Sequence, residues 1–146
     1  MGDIINKIIE KAKTSDGFVF GTPVYYAHPS GRILSVLDRV FYAGGSAFQH
    51  KPGAAIASAR RAGTSASIDV LNKYFTISQM PVVSSTYWNM VHGTKAEDVL
   101  KDEEGVQTMR NIGMNMAWLL KCIESGKNNG IDYPQTQKVK RTNFVR

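Results

Sequence analysis

The chain has 146 residues, of which 18 are Lys or Arg and 12 are Asp or Glu, for a formal net charge of +6. That length fits one domain, and 42% hydrophobic with 21% charged residues excludes a disordered or collagen-like chain. No apolar run reaches the ~20 residues that cross a bilayer, and a single cysteine, Cys122, excludes an internal disulfide or a Cys-rich metal site built from this chain alone.

The opening Met1–Lys7 stretch mixes an acid and an amide with its apolar residues and has no small-residue cleavage site, so it is not a secretory signal. The expected setting is a reducing cytoplasm. The charge is uneven. Lys138, Lys140, Arg141 and Arg146 fall in the last nine residues, leaving 14 basic against 12 acidic side chains in residues 1–137. Those last nine residues carry one aromatic, Phe144, and no recognisable nucleic-acid module. They read as a solvated basic tail rather than a nucleic-acid arm.

Residues 3–13 pattern as an amphipathic helix, with Ile4, Ile5, Ile8, Ile9 and Ala12 on one face and Asp3 as N-cap. Gly17–Thr22 is a short apolar run that suits a strand buried on both faces, ended by Pro23. A loop through Ser30 and Gly31 follows. Ile33, Leu34, Leu37, Val40 and Phe41 then mark a second helix, capped near Ser30. The unit repeats with a strand at Gly53–Ser58, a loop at Arg60–Thr64 and a helix carrying Ile68, Leu71, Tyr74 and Phe75. A third strand is expected at Pro81–Ser85, with a loop from Thr86 to Gly93. The acids Glu97, Asp98, Asp102, Glu103 and Glu104 suit a helix start better than a metal site, because no histidine interleaves them. The last helix runs from about Asp102 to Glu124, with Gly126 as its stop.

Alternating helices and short strands define an α/β fold with a parallel sheet. Residues 1–126 form the domain and 127–146 a basic tail or arm. In an open parallel sheet, ligands bind beyond the carboxyl ends of the strands. Three loops are expected there. They carry Tyr25, Tyr26 and His28; Arg60, Arg61, Gly63 and Thr64; and Tyr87, Trp88, Asn89 and His92. Aromatics, arginines and glycines on one edge suit a flat anionic ligand. His28 and His92 stay open between a ligand-binding or proton-donating residue and an ordinary surface histidine, the second being the commoner case; His50 reads as solvent-facing, Cys122 as a partly buried small residue, and Met109, Met114 and Met116 as core packing.

Gly21-Thr22-Pro23-Val24-Tyr25-Tyr26-Ala27-His28-Pro29-Ser30-Gly31, with Leu37-Asp38-Arg39 downstream, resembles the central segment of the flavodoxin-like NADPH-dependent FMN reductase family, which includes iron–sulfur flavoproteins. Ala57–Thr64 and Val83–Asn89 fall where that family has its next two cofactor loops, and the resemblance covers roughly residues 3–125. It implies a flavodoxin-like three-layer sandwich binding FMN. Pro23, Val24, Tyr25 and Tyr26 would approach the ring, and Ser30 and Gly31 would shape the turn. Ala59, Arg60, Arg61 and Gly63 would flank the ring's polar edge, and Trp88 could come from a partner chain. NAD(P)H would be the reductant, with electrons passed to a small-molecule acceptor and no acid–base residue demanded.

The family pattern also has an earlier strand with a phosphate-binding loop, and iron–sulfur members carry cysteines there; neither is found in this sequence. The resemblance therefore implies an N-terminally truncated member, lacking the first two strands and the first helix. With strand order 2-1-3-4-5, residues 17–22 then become an apolar edge that another chain would cover. The expected assembly is a homodimer or homotetramer. The alternative is a non-catalytic remnant that oligomerises with weak or no flavin binding.

Overall fold

A computed structural model describes residues 3–137 and 140–144. Lys138 and Arg146 of the expected basic tail lie outside the described residues.

The Asp3 carboxylate accepts from the Ile5 N–H at 3.2 Å and starts α1 (Ile4–Lys13). Ile5 and Ala12 are buried, Ile8 and Ile9 half-buried, and Ile4 exposed, so the apolar stripe is real but its first residue hangs free. β1 (Phe18–Tyr25) follows and pairs in parallel with β3 (Gly53–Ala59), from Phe18 opposite Gly53 to Pro23 opposite Ser58. Between them lie the two-residue β2 (His28–Pro29), antiparallel to the end of β1, and α2 (Gly31–Gly44). α3 (Thr64–Ile77), β4 (Met90–His92) and α4 (Glu103–Asn128) complete the order. The sheet runs β2-β1-β3-β4, with β4 parallel to β3.

Strand β1 does not stop at Pro23. The Phe18 N–H donates to the Pro52 carbonyl at 2.9 Å. Alternate residues Phe18, Phe20 and Thr22 therefore turn their backbone groups toward β3, and Val19, Gly21 and Pro23 turn theirs to the opposite edge. Proline at an edge-facing position removes no ladder bond, so the strand continues through it. That edge, from Phe18 to Pro23, faces no strand among the described residues.

The third strand is split, which corrects the expectation of a strand over 81–85. Val82 makes one isolated bridge to Gly53, and regular pairing resumes only at Met90, opposite Ala57. Residues 84–88 leave the sheet because α4 holds them. Ser85 donates its hydroxyl to the Thr108 carbonyl at 2.7 Å, and the Asn115 amide donates to the Ser84 carbonyl at 2.8 Å. Asn89, only 6% exposed, closes the gap by donating its side-chain amide to the Ala55 carbonyl at 3.0 Å. Its own carbonyl accepts from the Ala57 N–H at 3.0 Å.

Three layers result. α1, α2 and α3 pack one face of the sheet through Leu37, Val40, Phe48, Ile68, Leu71 and Phe75. α4 packs the other through Ile112 against Ala54 and Val83, with Met116 and Leu119 alongside. Small Gly and Ala residues in β3 let both layers approach, and a Cβ on Gly53 would stand 2.6 Å from the Phe75 ring. Asp102 starts α4 by accepting from the Gly105 N–H at 3.0 Å. The helix ends at Asn129 and not at Gly126. Gly130 takes φ +78°, and the Ile131 N–H returns to the Gly126 carbonyl at 2.9 Å, a glycine stop displaced by four residues.

Some smaller expectations change as well. Met114 and Cys122 are exposed on the outer face of α4 and belong to no core. His50 is half-buried, with its ring stacked on Tyr133 at 5.1 Å, which ties the chain after α4 back to the body.

Candidate functional site

The carboxyl ends of β1, β3 and β4 lie side by side, and each carries a turn. After β1 the chain reverses at Tyr26 and Ala27, which take φ +49° and +62°. Positive φ at both central residues is the tight hairpin turn that normally selects Asn-Gly. Holding Tyr and Ala there costs about 1–3 kcal/mol per residue. The turn leaves Tyr25 61% exposed and Tyr26 fully exposed. Thr22 holds its base. The buried Thr22 hydroxyl accepts from the Ser30 N–H at 2.9 Å and donates to the Pro23 carbonyl at 2.9 Å. Ser30 in turn caps α2, its hydroxyl accepting from the Arg32 N–H at 3.3 Å, and Gly31 is the first helical residue.

The turn after β3 carries Ala59, Arg60, Arg61, Ala62 and Gly63. Gly63 sits at φ +92°, and a Cβ there would stand 2.5 Å from the Ala27 Cα and 2.8 Å from a Val24 methyl. Only glycine allows this contact, which brings the arginine turn against the tyrosine turn. Arg60 and Arg61 are exposed, and Ala59 and Gly63 are half-buried. α3 begins at Thr64 with no side-chain cap, so its amide dipole meets the same edge as the arginines.

At the end of β4, the His92 N–H donates to the Asp102 carboxylate at 2.7 Å, and the Gly93 N–H donates to the Ala59 carbonyl at 3.1 Å. The His92 ring has Nε2 3.1 Å from the Arg61 carbonyl oxygen and Nδ1 3.6 Å from Asp102 Oδ2. The Gly105 N–H, followed by the His92 N–H and ring, holds the Asp102 carboxyl below its ordinary range against the opposing effect of burial.

The structure thus brings Pro23, Val24, Tyr25, Tyr26, Ser30, Gly31, Ala59, Arg60, Arg61 and Gly63 to one edge. It does not bring Trp88 there. Trp88 and Tyr87 form an edge-to-face pair at 5.0 Å on the looped-out segment beyond β3, on the side of the sheet away from β1. Thr22 and Asp102 are contributors to which the sequence reading gave no part in the site, Asp102 being read there only as part of a helix start. The signal for Thr22 was a lone hydroxyl in an apolar run, and the signal for Asp102 was an N-cap acid ten residues after a histidine.

Below the turns, on the α4 face, Gly21, Pro23, Ile56, Ser58, Val91 and Met109 line a cavity of about 220 Å³. That is smaller than the roughly 300 Å³ at which ligand pockets begin, so it admits part of a ligand while the rest lies across the turns. A second cavity of about 390 Å³, beside Asp16, Lys51 and Tyr133, lies at the opposite end of the strands. There the Lys51 ammonium donates to the Ala12 carbonyl at 2.7 Å and clamps α1 to the sheet. The groups at the turns suit the flat and anionic parts of a flavin mononucleotide: open tyrosine rings, two exposed arginines and a helix start without a side-chain cap. Among the described residues no group of three His, Cys, Asp or Glu side chains could hold a metal ion, and no helix is long and apolar enough to cross a membrane.

A mostly parallel α/β sandwich with its ligand-type residues on the strand carboxyl edge is the flavodoxin-like arrangement. The sequence profile of the NADPH-dependent FMN reductase family matches residues 1–95, and the chain belongs to that family. It is similar to an iron–sulfur flavoprotein of Methanocaldococcus jannaschii, 29% identical over 130 residues that cover 84% of this chain and 67% of the relative. A second iron–sulfur flavoprotein of that organism is 27% identical over 122 residues, covering 74% of this chain and 61% of its own length. The chain thus spans about two thirds of these relatives. A solved flavodoxin from the domain Archaea superposes with a TM-score of 0.55 at 17% identity, covering 77% of this chain and 71% of that one, which supports the fold.

Proposed function

We propose that this chain works as an FMN-dependent NAD(P)H oxidoreductase of the flavin or quinone reductase type, with a small-molecule electron acceptor. The observation that carries the reading is the Gly63–Ala27 contact, which sets the Arg60–Arg61 turn beside the exposed Tyr25–Tyr26 turn. When bound, FMN supplies the redox chemistry between NAD(P)H and the acceptor.

The chain's own residues bind and orient. Backbone of Pro23 to Tyr26 would floor the ring, and Thr22 holds that backbone in place through the Pro23 carbonyl and the Ser30 N–H. Ala59 to Gly63 would edge the ring, with Arg60 and Arg61 offsetting the negative charge that it gains on reduction. Ser30 and Gly31 set the direction of α2, and the Ser30 hydroxyl is already engaged by Arg32. In a homotetramer with a second interface on the β4 side, Trp88 would serve a neighbour's site, given its place on the side of the sheet away from β1. A homodimer or homotetramer using the open edge of β1 is part of this proposal. No nucleic-acid or membrane role is.

Titration of the purified protein with FMN, followed by flavin fluorescence quenching, tests the reading. Saturation near one FMN per chain, bleaching of the visible band on anaerobic addition of NADPH, and about tenfold weaker binding after Arg60→Ala with Arg61→Ala are expected. A protein that leaves FMN fluorescence unchanged would overturn the reading in favour of a non-catalytic remnant of the fold.

A further inference from the structure

The cavity at the amino end of the strands, about 390 Å³ in volume, is large enough for a small molecule. Its lining includes an apolar part: Pro52 is buried, and Leu120 and Ile123 of α4 are half-buried. Tyr133 lines it from the segment that follows α4. That segment turns at Gly130, with φ +78°, and the Tyr133 ring stacks on His50 at 5.1 Å. The Lys127 ammonium stands 4.9 Å from the centre of the same ring.

Three lysines and two acids also line this cavity. Lys51 is engaged, donating to the Ala12 and Lys13 carbonyls at 2.7 and 3.2 Å. Lys121, Glu124 and Lys127 follow one another at three-residue spacing on α4, where opposite charges ordinarily meet. Here they do not. Among the described residues, neither these three nor Asp16 stands within ion-pair distance of an opposite charge. Asp16 and Glu124 are still close enough, after Tyr133, to help push the Lys127 ammonium above its ordinary range. Two cations and two anions therefore stand open beside one apolar surface.

A lone anion in this cavity would be drawn to the lysines and repelled by the acids, and a lone cation the reverse. A molecule with one charge of each sign is attracted by both sets. We propose that the cavity binds a small zwitterion with an apolar side chain, a free α-amino acid such as leucine, against Tyr133. The carboxylate meets Lys121 and Lys127, the ammonium meets Asp16 and Glu124, and the side chain lies on Pro52, Leu120 and Ile123. The site is at the far end of the strands from the turns and needs no flavin.

Amide and methyl NMR of the full chain, titrated with L-leucine, tests this. Saturable shifts are expected at Asp16, Lys51, residues 120–128 and Tyr133, with none at the Arg60–Arg61 turn. Isocaproate, which is leucine without its ammonium, and isoamylamine, which is leucine without its carboxylate, should each bind about tenfold more weakly. Glu124→Gln should weaken leucine about fivefold while leaving isocaproate no weaker. Tyr133→Ala, in the segment after α4, should weaken leucine without altering the thermal melt by more than a few degrees. A cavity unmoved by leucine at tens of millimolar overturns the proposal. So does isocaproate or isoamylamine binding as tightly as leucine, which would mean that the site reads one charge only. Leucine shifts that persist unchanged in both variants would place the binding elsewhere and overturn it too.

Discussion

Asp38 on α2 accepts the hydroxyl proton of Tyr74 on α3, while the next residue, Arg39, pairs with Asp3 at the cap of α1. With Leu37 buried beside them, the three residues of the Leu-Asp-Arg segment fasten α2 to both neighbouring helices and to the core. This part of the family pattern is architectural. Burial, followed by the Asp38 hydrogen bond and charge, pushes the Tyr74 phenol up to about 12 from 10.0. A proton held more tightly in the folded state contributes stability that is complete below the unfolded pKa and fades as pH rises through the folded one. Stability should therefore drop between pH 10 and about 12. Tyr74→Phe should remove that part of the drop and cost about 1 kcal/mol at neutral pH. Urea melts of both proteins at pH 7, 9 and 11 check this; parallel curves for the two would refute it.

Asn89 donates to the Ala55 carbonyl inside the sheet. Asn89→Ala leaves a buried carbonyl without its partner and should destabilise the fold by about 1–3 kcal/mol. Thermal melts measure this, and exchange of the amides of β3 should rise locally. A loss below a few tenths of a kcal/mol would mean that water takes the place of the side chain.

Gly63→Ala has no room. The added methyl would meet Ala27 at 2.5 Å in a backbone region that glycine alone tolerates cheaply. The two turns should part, with a stability loss of about 2 kcal/mol and weaker FMN quenching than in Arg60→Ala. Unchanged quenching would mean that the turns bind independently.

The outward N–H groups of Val19 and Gly21 have no strand opposite them among the described residues, and Val19 is 54% exposed. Open apolar edges recruit strands. Light scattering after size exclusion should report a dimer or tetramer. Val19→Pro, which removes an outward donor and leaves the β3 ladder intact, should shift the population to monomer. A wild type that elutes as monomer at all concentrations contradicts the expectation.

Much of this was legible from the residue pattern, for identifiable reasons. The Asp3 and Asp102 caps, the small-residue strand β3 and the core stripe of α4 each follow from local chemistry that tertiary contacts reinforce. Pro23 was misleading because a proline ends a strand only when its missing donor faces a neighbour, and here it faces the open edge. Pro81–Ser85 was misleading because Ser84 and Ser85 bond to α4, a partner more than twenty residues away that no local window contains. At the site, the tyrosine and arginine turns were readable from their position after strands. The contacts of His92 were not, since they join the carbonyl of one loop to a helix cap ten residues after the histidine.

The Asn89 amide stands in for the backbone of a strand that has left the sheet. Residues 84–88 are thereby free of the sheet's register and take their positions from α4, through Ser84, Ser85 and Thr86, between the bridge at Val82 and the pairing at Met90. Tyr87 and Trp88 thus sit on the two residues between the bonds to α4 and the Asn89 anchor, outside the strand ladder, so what they present is set by α4 and Asn89 and not by the sheet.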